Sequence, residues 1–600
     1  MVSGCLRNRL MVCAALALAA AAAQAAPKYE ANWTSLDKRP IPAWFNEAKF
    51  GVFVCWGPYS VPAWVDQGYP EWYGWHMQYP DSPVAKFHLK NYGAQFKYED
   101  FAPLLKAELW DPDFWADLFV KSGARYVVTT AKFHDGYCLW PCAGAENVRT
   151  KQWNSMVVGP HRDLLGELTA AGRKRGLKMG VYFSLYEWWH PLWLDPAKRE
   201  RFVLEHMHPQ FKELVTRYQP PIIILDGEWD MDYRKWHSEE LAAWLYNESP
   251  VRDYVAVNDR WGQCRSQHGG YYSSEYGGGE YPPWHAWQED RGIGHSYGFN
   301  RNESIYDYAS ATDLIRLLSK ICGNGGNLIL SMGPTPDGRL PVIMQERLLE
   351  IGRWLALNGE AIYGSRANPF WPRRFAWGTC TQKPGRLFLH VHDARQRAID
   401  LRGLHNAVSK AYLLADRAQH PLPTSPLADG VHIDLPRTLP DPAVSVVALE
   451  IQGPPSVDKT TQQDDDGGVF LHCFAMKVRG TKAKVVFEGA SRVLHVGEWS
   501  NPADKVCVDF VLRDPGPFEV LATYSSDQAA AGSRFAISIG DQRLAGVTEN
   551  TGEWGKYKTV SLGRITLANK GRHTLCVSPA ADGPWKGMGL QSVTLRPVKK

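Results

Sequence analysis

Repeated β-rich runs separated by helical stretches constrain the fold of this chain more than any other feature of its sequence. Buried strands alternating with helices are typical of parallel βα units. The strong runs are 50–56, 126–131, 179–184, 222–225, 254–258 and 327–332, and the weaker ones are 271–275 and 284–289. The helical stretches include 111–121, 163–175, 196–217 and 310–321. About eight strands over this length predict an α/β fold of the (β/α)8 TIM-barrel type.

Polar residues stand at or just after the ends of six of these runs. In a (β/α)8 barrel, active sites lie at the C-terminal ends of the strands, so these residues are predicted to share one polar pocket at the barrel mouth. They include Cys55, His134, Asp135, Glu187, Asp226, Glu228, Arg260 and Glu275.

Downstream of the barrel, predicted over residues 27–365, short alternating segments with Pro, Gly and Asp indicate a β-sandwich over 366–452. Residues 453–468 hold almost no large apolar side chain and three successive Asp, which predicts a solvated linker. A second β-sandwich is expected over 469–600. Its Trp499, Trp554 and Trp585 stand in polar or Gly-rich surroundings and belong either to a carbohydrate-binding module or to an ordinary core.

The N-terminal segment has the pattern of a signal peptide. Arg7 and Arg9 precede an apolar stretch over 10–23 that ends in small residues, so cleavage after residue 26 and export to the periplasm or the extracellular medium are expected. No later segment reaches the roughly 18 apolar residues that a membrane span needs. No feature of the sequence sets an oligomeric state.

The composition points to a glycan partner rather than a nucleic acid. A net charge of +4 without a long basic block offers little to neutralise many phosphates. The 25 Trp suit a carbohydrate, whose apolar ring faces stack on aromatic side chains, although large cores also use Trp.

An odd number of cysteines follows residue 26, so at least one cannot be in an intramolecular disulfide. Cys138 and Cys142 are spaced for either a metal pair or a local disulfide. No second pair of ligands stands at zinc spacing, so neither a metal site nor a cofactor is predicted.

Asp226 is the strongest candidate for catalytic chemistry. It follows the apolar stretch 220–225, so at the end of a buried strand its side chain can face only the barrel mouth. Glycosidic bonds are usually cleaved by two carboxyl groups, one of which attacks or stabilises the anomeric carbon. An Asp that caps the next helix is the structural alternative at such a strand end.

The segment 224–230, ILDGEWD, resembles the nucleophile segment of the α-L-fucosidases of glycoside hydrolase family 29. Further stretches similar to that family occur in order over roughly residues 30–365. They are 44–53, 70–73, 121–137, 159–163, 180–184, 257–262, 296–300 and 326–334.

The resemblance implies a retaining α-L-fucosidase, or a closely related α-L-glycosidase, in which Asp226 forms a covalent glycosyl-enzyme. It implies that Arg260 steadies this carboxylate or the ring oxygen. It also implies that Glu71, Trp72 and His134 contact sugar hydroxyls, and that Tyr182 and Tyr297 wall the pocket.

Three carboxyl groups compete for the role of acid/base. Glu275 is preferred, because it ends a short run that resembles the stretch before the family's acid/base. Glu280 lies in a Gly-rich segment, and Glu289, which follows Trp287 and Gln288, stays as the alternative.

Two positions depart from the family pattern. Cys55 stands where the family usually has His before Trp-Gly, and Phe133 takes one place of a His pair. Each buried hydroxyl left without a partner costs about 1 to 3 kcal/mol. We therefore expect either an altered sugar, such as another 6-deoxy-L-sugar, L-galactose or L-glucose, or a fucosidase whose pocket has repacked.

Two rival functions remain open from the sequence. One is a catalytically inactive carbohydrate-binding protein on the same scaffold. The other is a metal-dependent hydrolase that uses His134, Asp135 and Asp226, which lacks support from paired-His spacing.

Overall fold

The computed structural model describes residues 28–66, 68–279, 281–464, 466–488 and 493–598. The predicted signal peptide, residues 1–26, lies outside the described residues. Within the described chain, no helix combines the length and apolarity required to cross a membrane.

The first domain is the predicted (β/α)8 barrel. Its parallel strands run in the order β5-β4-β3-β2-β1-β8-β7-β6, and in the described residues one parallel bridge, Asn258 with Tyr271, joins β5 to β6 and closes the barrel. The strands are β1 (Phe50–Val54), β2 (Tyr126–Lys132), β3 (Lys178–Ser184), β4 (Ile222–Asp226), β5 (Ala256–Val257), β6 (Tyr272–Glu275), β7 (Trp287–Gly292) and β8 (Asn327–Met332).

Several barrel helices begin at side-chain caps that the sequence supplies. Asp111, Asp163 and Ser310 each accept a hydrogen bond from a backbone N–H three residues later. The α-helices of this domain are Trp33–Leu36, Ala43–Ala48, Tyr73–His76, Pro83–Asn91, Pro112–Lys121, Leu164–Lys174, Pro191–Leu194, Arg199–Arg201, His208–Tyr218, Ser238–Asn247, Ala311–Gly323 and Val342–Asn358. Shorter 3-10 turns are Pro58–Ser60, Pro70–Trp72, Tyr98–Leu104, Pro196–Lys198, Ile305–Asp307 and Gly359–Ala361.

The predicted helical stretch 196–217 is not one regular α-helix. It passes through a π-helical segment, Phe202–Met207, before the α-helix that starts at His208. Pro209 has no N–H to donate, so the regular hydrogen-bond pattern cannot run through it.

The second domain is a small β-sandwich with its own core. One sheet has the order β12-β15-β10-β9 and the other β11-β14-β13. The strands are β9 (Gly378–Lys383), β10 (Arg386–Val391), β11 (Ala398–Arg402), β12 (Val408–Leu413), β13 (Thr424–Leu427), β14 (Gly430–Asp434) and β15 (Ser445–Ile451).

The third domain is a larger β-sandwich of two six-stranded sheets around a separate core. A disulfide between Cys507 and Cys576 joins β21 to β26, whereas Cys138 and Cys142 in the barrel are thiols. Its strands are β16 (Thr461–Gln462), β17 (Val469–His472), β18 (Lys477–Arg479), β19 (Lys484–Glu488), β20 (Val493–Gly497), β21 (Lys505–Leu512), β22 (Gly516–Ser525), β23 (Arg534–Ile539), β24 (Gln542–Val547), β25 (Lys558–Leu567), β26 (Gly571–Pro579) and β27 (Gly589–Pro597). A 3-10 turn, Cys473–Ala475, follows β17.

Part of the predicted solvated linker belongs to the third domain. Thr461 and Gln462 form β16, which pairs in parallel with β21, and Gln463 is buried beside them. The Gln463 side chain accepts from the backbone N–H of Arg513 and Asp514 and donates to the carbonyl of Gly467. Residues 461–463 are buried, and the hydrogen bonds of Gln463 compensate for the burial of its amide, so the linker prediction is wrong for 461–463.

The three Trp of the third domain have different surroundings. Trp499 is a buried core residue and contacts Trp585 edge-on, with ring centroids 5.1 Å apart. Trp554 is half-buried, and its indole N–H donates to Asp527. Trp499 therefore serves the core, and carbohydrate binding by this domain stays a prediction.

Candidate active site

A cavity of about 250 Å³ opens at the C-terminal mouth of the barrel. This is where the strand-end residues were predicted to meet, and most of the predicted site residues reach it. The side chains that line it are Phe53, Cys55, Tyr69, Glu71, Trp72, Phe133, Tyr182, Ile224, Asp226, Trp229, Arg260, Arg265, Glu275, Asp290 and Tyr297.

Asp226 is the last residue of β4 and faces the cavity with 18% of its side chain exposed. Its Oδ1 accepts from Arg260 Nη1 at 2.6 Å, and its Oδ2 accepts from the Tyr182 hydroxyl at 2.6 Å. Burial opposes ionisation, but the Arg260 charge and the Tyr182 hydrogen bond outweigh it and lower the pKa of Asp226. The carboxylate is therefore ionised at neutral pH.

Arg260 connects this carboxylate with Glu275. Its Nη1 binds Asp226, while its Nη2 forms an ion pair with Glu275 Oε1, and Arg265 Nη1 lies 3.9 Å from the same oxygen. The buried Glu228 lies 3.6 Å from Arg260 Nη1, and burial raises the pKa of its carboxyl. One guanidinium thus joins the two carboxyl groups predicted to be catalytic.

His134 lies behind Asp226 rather than on the cavity surface. Its Nε2 is 3.6 Å from Asp226 Oδ2, and its Nδ1 is 2.7 Å from the Ser184 hydroxyl. Burial lowers the pKa of His134 to about 4, so the imidazole is uncharged at neutral pH. Its Nε2 also lies 3.5 Å from the Tyr182 hydroxyl, so the imidazole stands next to two groups that line the cavity, and its contact with a sugar hydroxyl stays a prediction.

Glu71, Trp72 and Tyr297 form another part of the wall. Glu71 Oε2 accepts from the backbone N–H of Gly298 at 3.0 Å, and burial raises the pKa of this carboxyl to about 7. The Tyr297 hydroxyl donates to the carbonyl of Asp290. The Trp72 ring packs near Trp229, with centroids 5.8 Å apart, which places two indoles at the mouth.

Cys55 and Phe133, the two positions that depart from the family pattern, both line the cavity. Cys55 Sγ lies 3.3 Å from the Tyr59 hydroxyl, and burial raises the pKa of the thiol. The Phe133 ring stacks on Tyr182 with centroids 5.8 Å apart.

Glu289 does not reach the cavity, and its neighbour Asp290 does. Glu289 Oε1 accepts from the backbone N–H of Gly278, on the outer side of β7. Asp290 accepts from Gln288 on the inner side, and burial raises the pKa of Asp290 to about 7. This position does not support Glu289 as acid/base. Glu280 lies outside the described residues.

Asp290 was missed from the sequence because the predicted strand stopped at Glu289. The strand continues to Gly292, so the period-two alternation of β7 selects Asp290 for the cavity. Arg265 was also missed as a lining residue, since it lies in a loop beyond its strand end, whereas Trp229 belongs to the segment after β4 that was predicted to reach the pocket.

Two strand-end residues expected in the polar pocket are structural instead. Asp135 accepts from the Tyr98 hydroxyl and from the backbone N–H of Tyr137. Glu187 is buried in an ion pair with Lys132 at 2.7 Å. The expectation of one shared pocket is therefore wrong for these two carboxyl groups, and Glu228 is likewise buried beside Arg260 rather than in the cavity lining.

Among the described residues, Glu187, His190 and His206 are close enough to hold a metal ion. Glu187 Oε1 is within hydrogen-bond distance of two nitrogen atoms, Lys132 Nζ at 2.7 Å and His206 Nε2 at 2.8 Å. An ammonium already neutralises this carboxylate, so the group acts as a buried ion-pair network. The geometry of His134, Asp135 and Asp226 likewise gives no support to a metal-dependent hydrolase, because Asp135 turns away from the other two.

The chain resembles known proteins over more than half of its length. The family model described as alpha-L-fucosidase matches residues 16–360. The tissue alpha-L-fucosidase of Rattus norvegicus is 48% identical over 366 residues, which cover 58% of this chain and 77% of that protein. The alpha-L-fucosidase of Dictyostelium discoideum is 37% identical over 436 residues, 69% of this chain and 92% of that protein.

Solved structures of α-L-fucosidases have folds similar to that of this chain. The crystal structure of Thermotoga maritima alpha-fucosidase superposes with a TM-score of 0.60 and 33% identity, covering 70% of this chain and all of that one. An alpha-L-fucosidase from Vibrio sp. strain EJY3 is similar over 92% of this chain and 97% of its own, with a TM-score of 0.70 and 22% identity, a likeness of fold. The motif resemblance and the predicted fold class are confirmed, and the chain belongs to the α-L-fucosidase family of glycoside hydrolases.

Proposed function

We propose that this enzyme is a retaining exo-α-L-fucosidase that removes terminal α-L-fucosyl residues from glycans through a covalent glycosyl-enzyme on Asp226. The observation that carries the proposal is the single Arg260 guanidinium that binds both Asp226 and Glu275 at the cavity wall. Two carboxyl groups held on one guanidinium are close together. A close pair suits retention, which uses about 5 to 5.5 Å, better than inversion, which uses about 6.5 to 9.5 Å.

In the proposed mechanism, Asp226 attacks the anomeric carbon while Glu275 gives a proton to the departing glycosidic oxygen. Glu275 then takes a proton from water, which attacks the anomeric carbon and releases the sugar from Asp226. Arg260 and the Tyr182 hydroxyl support the ionised state that Asp226 needs as a nucleophile.

Glu275 must leave its ion pair with Arg260 and take up a proton before it can act as an acid. In the free enzyme its carboxylate is bound to Arg260, so the arriving sugar must loosen this ion pair before Glu275 carries a proton. The half-buried position of Glu275 in the cavity lining gives it access to a leaving group on the solvent side.

The size of the cavity suits one sugar ring. Pockets for drug-sized ligands are roughly 300 to 1,000 Å³, and this one is about 250 Å³, which favours cleavage at chain ends. Glu71, Trp72 and Tyr297 are proposed to contact the sugar. The signal-peptide pattern supports export to the periplasm or the medium.

Covalent labelling tests the proposal. The enzyme is incubated with 2-deoxy-2-fluoro-α-L-fucosyl fluoride, digested and analysed by mass spectrometry. A fluorosugar adduct on the peptide that contains Asp226, absent from Asp226→Asn, is expected, and NMR should show release of α-L-fucose first. Absence of any adduct would favour the inactive carbohydrate-binding alternative, and initial release of the β-anomer would exclude retention.

A further inference from the structure

The cavity has two chemically different halves. The half formed by β1 to β4 presents Phe53, Cys55, Phe133 and Ile224, all of them buried, together with Tyr182, whose hydroxyl donates to Asp226. The half formed by the end of β4 through β7 presents Asp226, Arg260, Glu275 and Asp290. A bound sugar therefore meets charged groups on one side and an apolar wall on the other.

The apolar wall has little capacity to bind a hydroxyl group. The Cys55 thiol, the one polar group among these four side chains, already lies 3.3 Å from the Tyr59 hydroxyl, so the two satisfy each other. Phe133 is fixed by its stack on Tyr182 and by an edge contact with Tyr59 at 5.3 Å. Packed in this way, the phenyl ring cannot turn aside to admit a polar partner.

The chemistry at C1 decides which edge of the sugar faces this wall. C1 must lie at Asp226, with the leaving oxygen towards Glu275, so both belong to the β4 to β6 side. In a six-membered ring C4 lies opposite C1, and the C3–C4 edge therefore points across the barrel to Cys55 and Phe133. Glu71 shares this side: its Oε2 accepts from the Gly298 N–H, and its carboxyl group lines the cavity, where it can bind one hydroxyl.

We infer that the pocket takes an L-fucosyl residue with an apolar C3–C4 edge, in which one of the two hydroxyls is O-methylated or absent. Glu71 binds the remaining hydroxyl, and the modified position packs on Cys55 and Phe133. The inference rests on the proposed function, because it requires C1 at Asp226. A hydroxyl placed against the apolar wall would lose its hydrogen bonds to water. A sugar with a methyl group at that position should therefore have a kcat/KM roughly tenfold or more above that of the sugar with the hydroxyl.

A panel of 4-nitrophenyl glycosides tests this specificity. kcat/KM is measured for the plain α-L-fucoside and for its 3-O-methyl, 4-O-methyl, 3-deoxy and 4-deoxy derivatives, which separates added methyl groups from missing hydroxyls. At least one derivative should exceed the plain fucoside by about tenfold. A plain fucoside that is the best substrate of the panel would overturn the inference while leaving the proposed function intact.

Matched variants of the wall give a second readout. Cys55→Ser adds a hydroxyl with little change in volume, and the double variant Cys55→His with Phe133→His adds two imidazoles; both should shift the preference towards the plain fucoside. Cys55→Ala keeps the wall apolar and should keep the preference for the modified sugar. An unchanged preference in the Ser and double-His variants would contradict the inference, and failure of the enzyme to cleave or be labelled by any α-L-fucoside would overturn the proposed function as well.

Discussion

Arg260 organises the charges around the cavity. Its planar guanidinium offers separate nitrogens to Asp226 and Glu275, and Glu228 lies near the first of them. A lysine ammonium is a compact point charge and cannot hold two carboxylates in this fork geometry. The family resemblance indicated that Arg260 would steady Asp226, but its contact with Glu275 depends on how β5 and β6 approach each other.

Asp290 should make the stability of the protein depend on pH. Burial raises its folded-state pKa from 3.8 to about 7, so its contribution is complete below about pH 4 and is lost as the pH rises through 7. Asp290→Asn should therefore become more stable relative to the wild type between pH 5 and pH 8. At about 1.4 kcal/mol per pKa unit, the change amounts to a few kcal/mol.

Urea unfolding of both proteins at the two pH values measures this difference. Asp81→Asn, on an exposed turn, provides the control and should show no comparable change. A stability difference between wild type and Asp290→Asn that is equal at pH 5 and pH 8 would show that Asp290 ionises without penalty.

At the level of single elements, strand existence was more predictable than strand ends. The apolar run before Asp226 allowed both the strand and the carboxylate at its end to be predicted, because a buried strand can expose a charge only where it ends. For β7 the polar residues Gln288, Glu289 and Asp290 carry no such contrast. Which of these side chains face the cavity could be decided only from the structure, in which β7 pairs with β8 and Asp290 stands opposite Ile329.

The same alternation predicts unequal roles for two glutamates. Glu275 ends β6 and lines the cavity, whereas Glu289 faces the outer side of β7. Glu275→Ala should lower kcat/KM on natural fucosides by about 10² to 10⁴, the usual contribution of a general acid, and by much less on substrates with activated leaving groups. Glu289→Ala serves as the matched control, and an equal or larger loss in that variant would refute the assignment of Glu275.

Polar segments that become buried limited the sequence analysis further. Residues 461–463 were predicted to be part of a linker. The hydrophobic pattern cannot reveal that the Gln463 side chain accepts from the backbone N–H groups of Arg513 and Asp514. Glu187 was predicted to be a pocket residue, because its ion-pair partner Lys132 lies on another strand and could not be identified from the sequence. In both cases the decisive contact is remote in sequence.

The third domain packs against the other two domains through aromatic contacts. Phe487 of the third domain stacks on Tyr281 of the barrel with centroids 4.6 Å apart, and Phe474 packs on Trp371 at 5.2 Å. Tyr281 follows Glu275 by a short loop, so the third domain supports the part of the barrel that holds the proposed acid/base.

Phe487→Ala should weaken this support. Aromatic pairs contribute about 0.5 to 1.5 kcal/mol beyond their buried area, and a loss of this order should appear as a lower melting temperature of the barrel transition in calorimetry. Val547→Ala, at an exposed position on β24, tests for general effects of truncation in the third domain. Identical thermograms for Phe487→Ala and the wild type would mean that the domains are energetically independent.

The closure of the barrel through one bridge between β5 and β6 has a consequence for how such enzymes diversify. Asn258 compensates for the short β5 with its own side chain, which bonds to both the N–H and the carbonyl of Leu225. Arg260 and Glu275 stand on opposite sides of this seam, which the Asp259 carboxylate also bridges by accepting from the N–H and hydroxyl of Ser273. Because the proposed acid/base Glu275 is held across this seam by Arg260, we expect substitutions at the seam to change leaving-group preference more than sugar recognition.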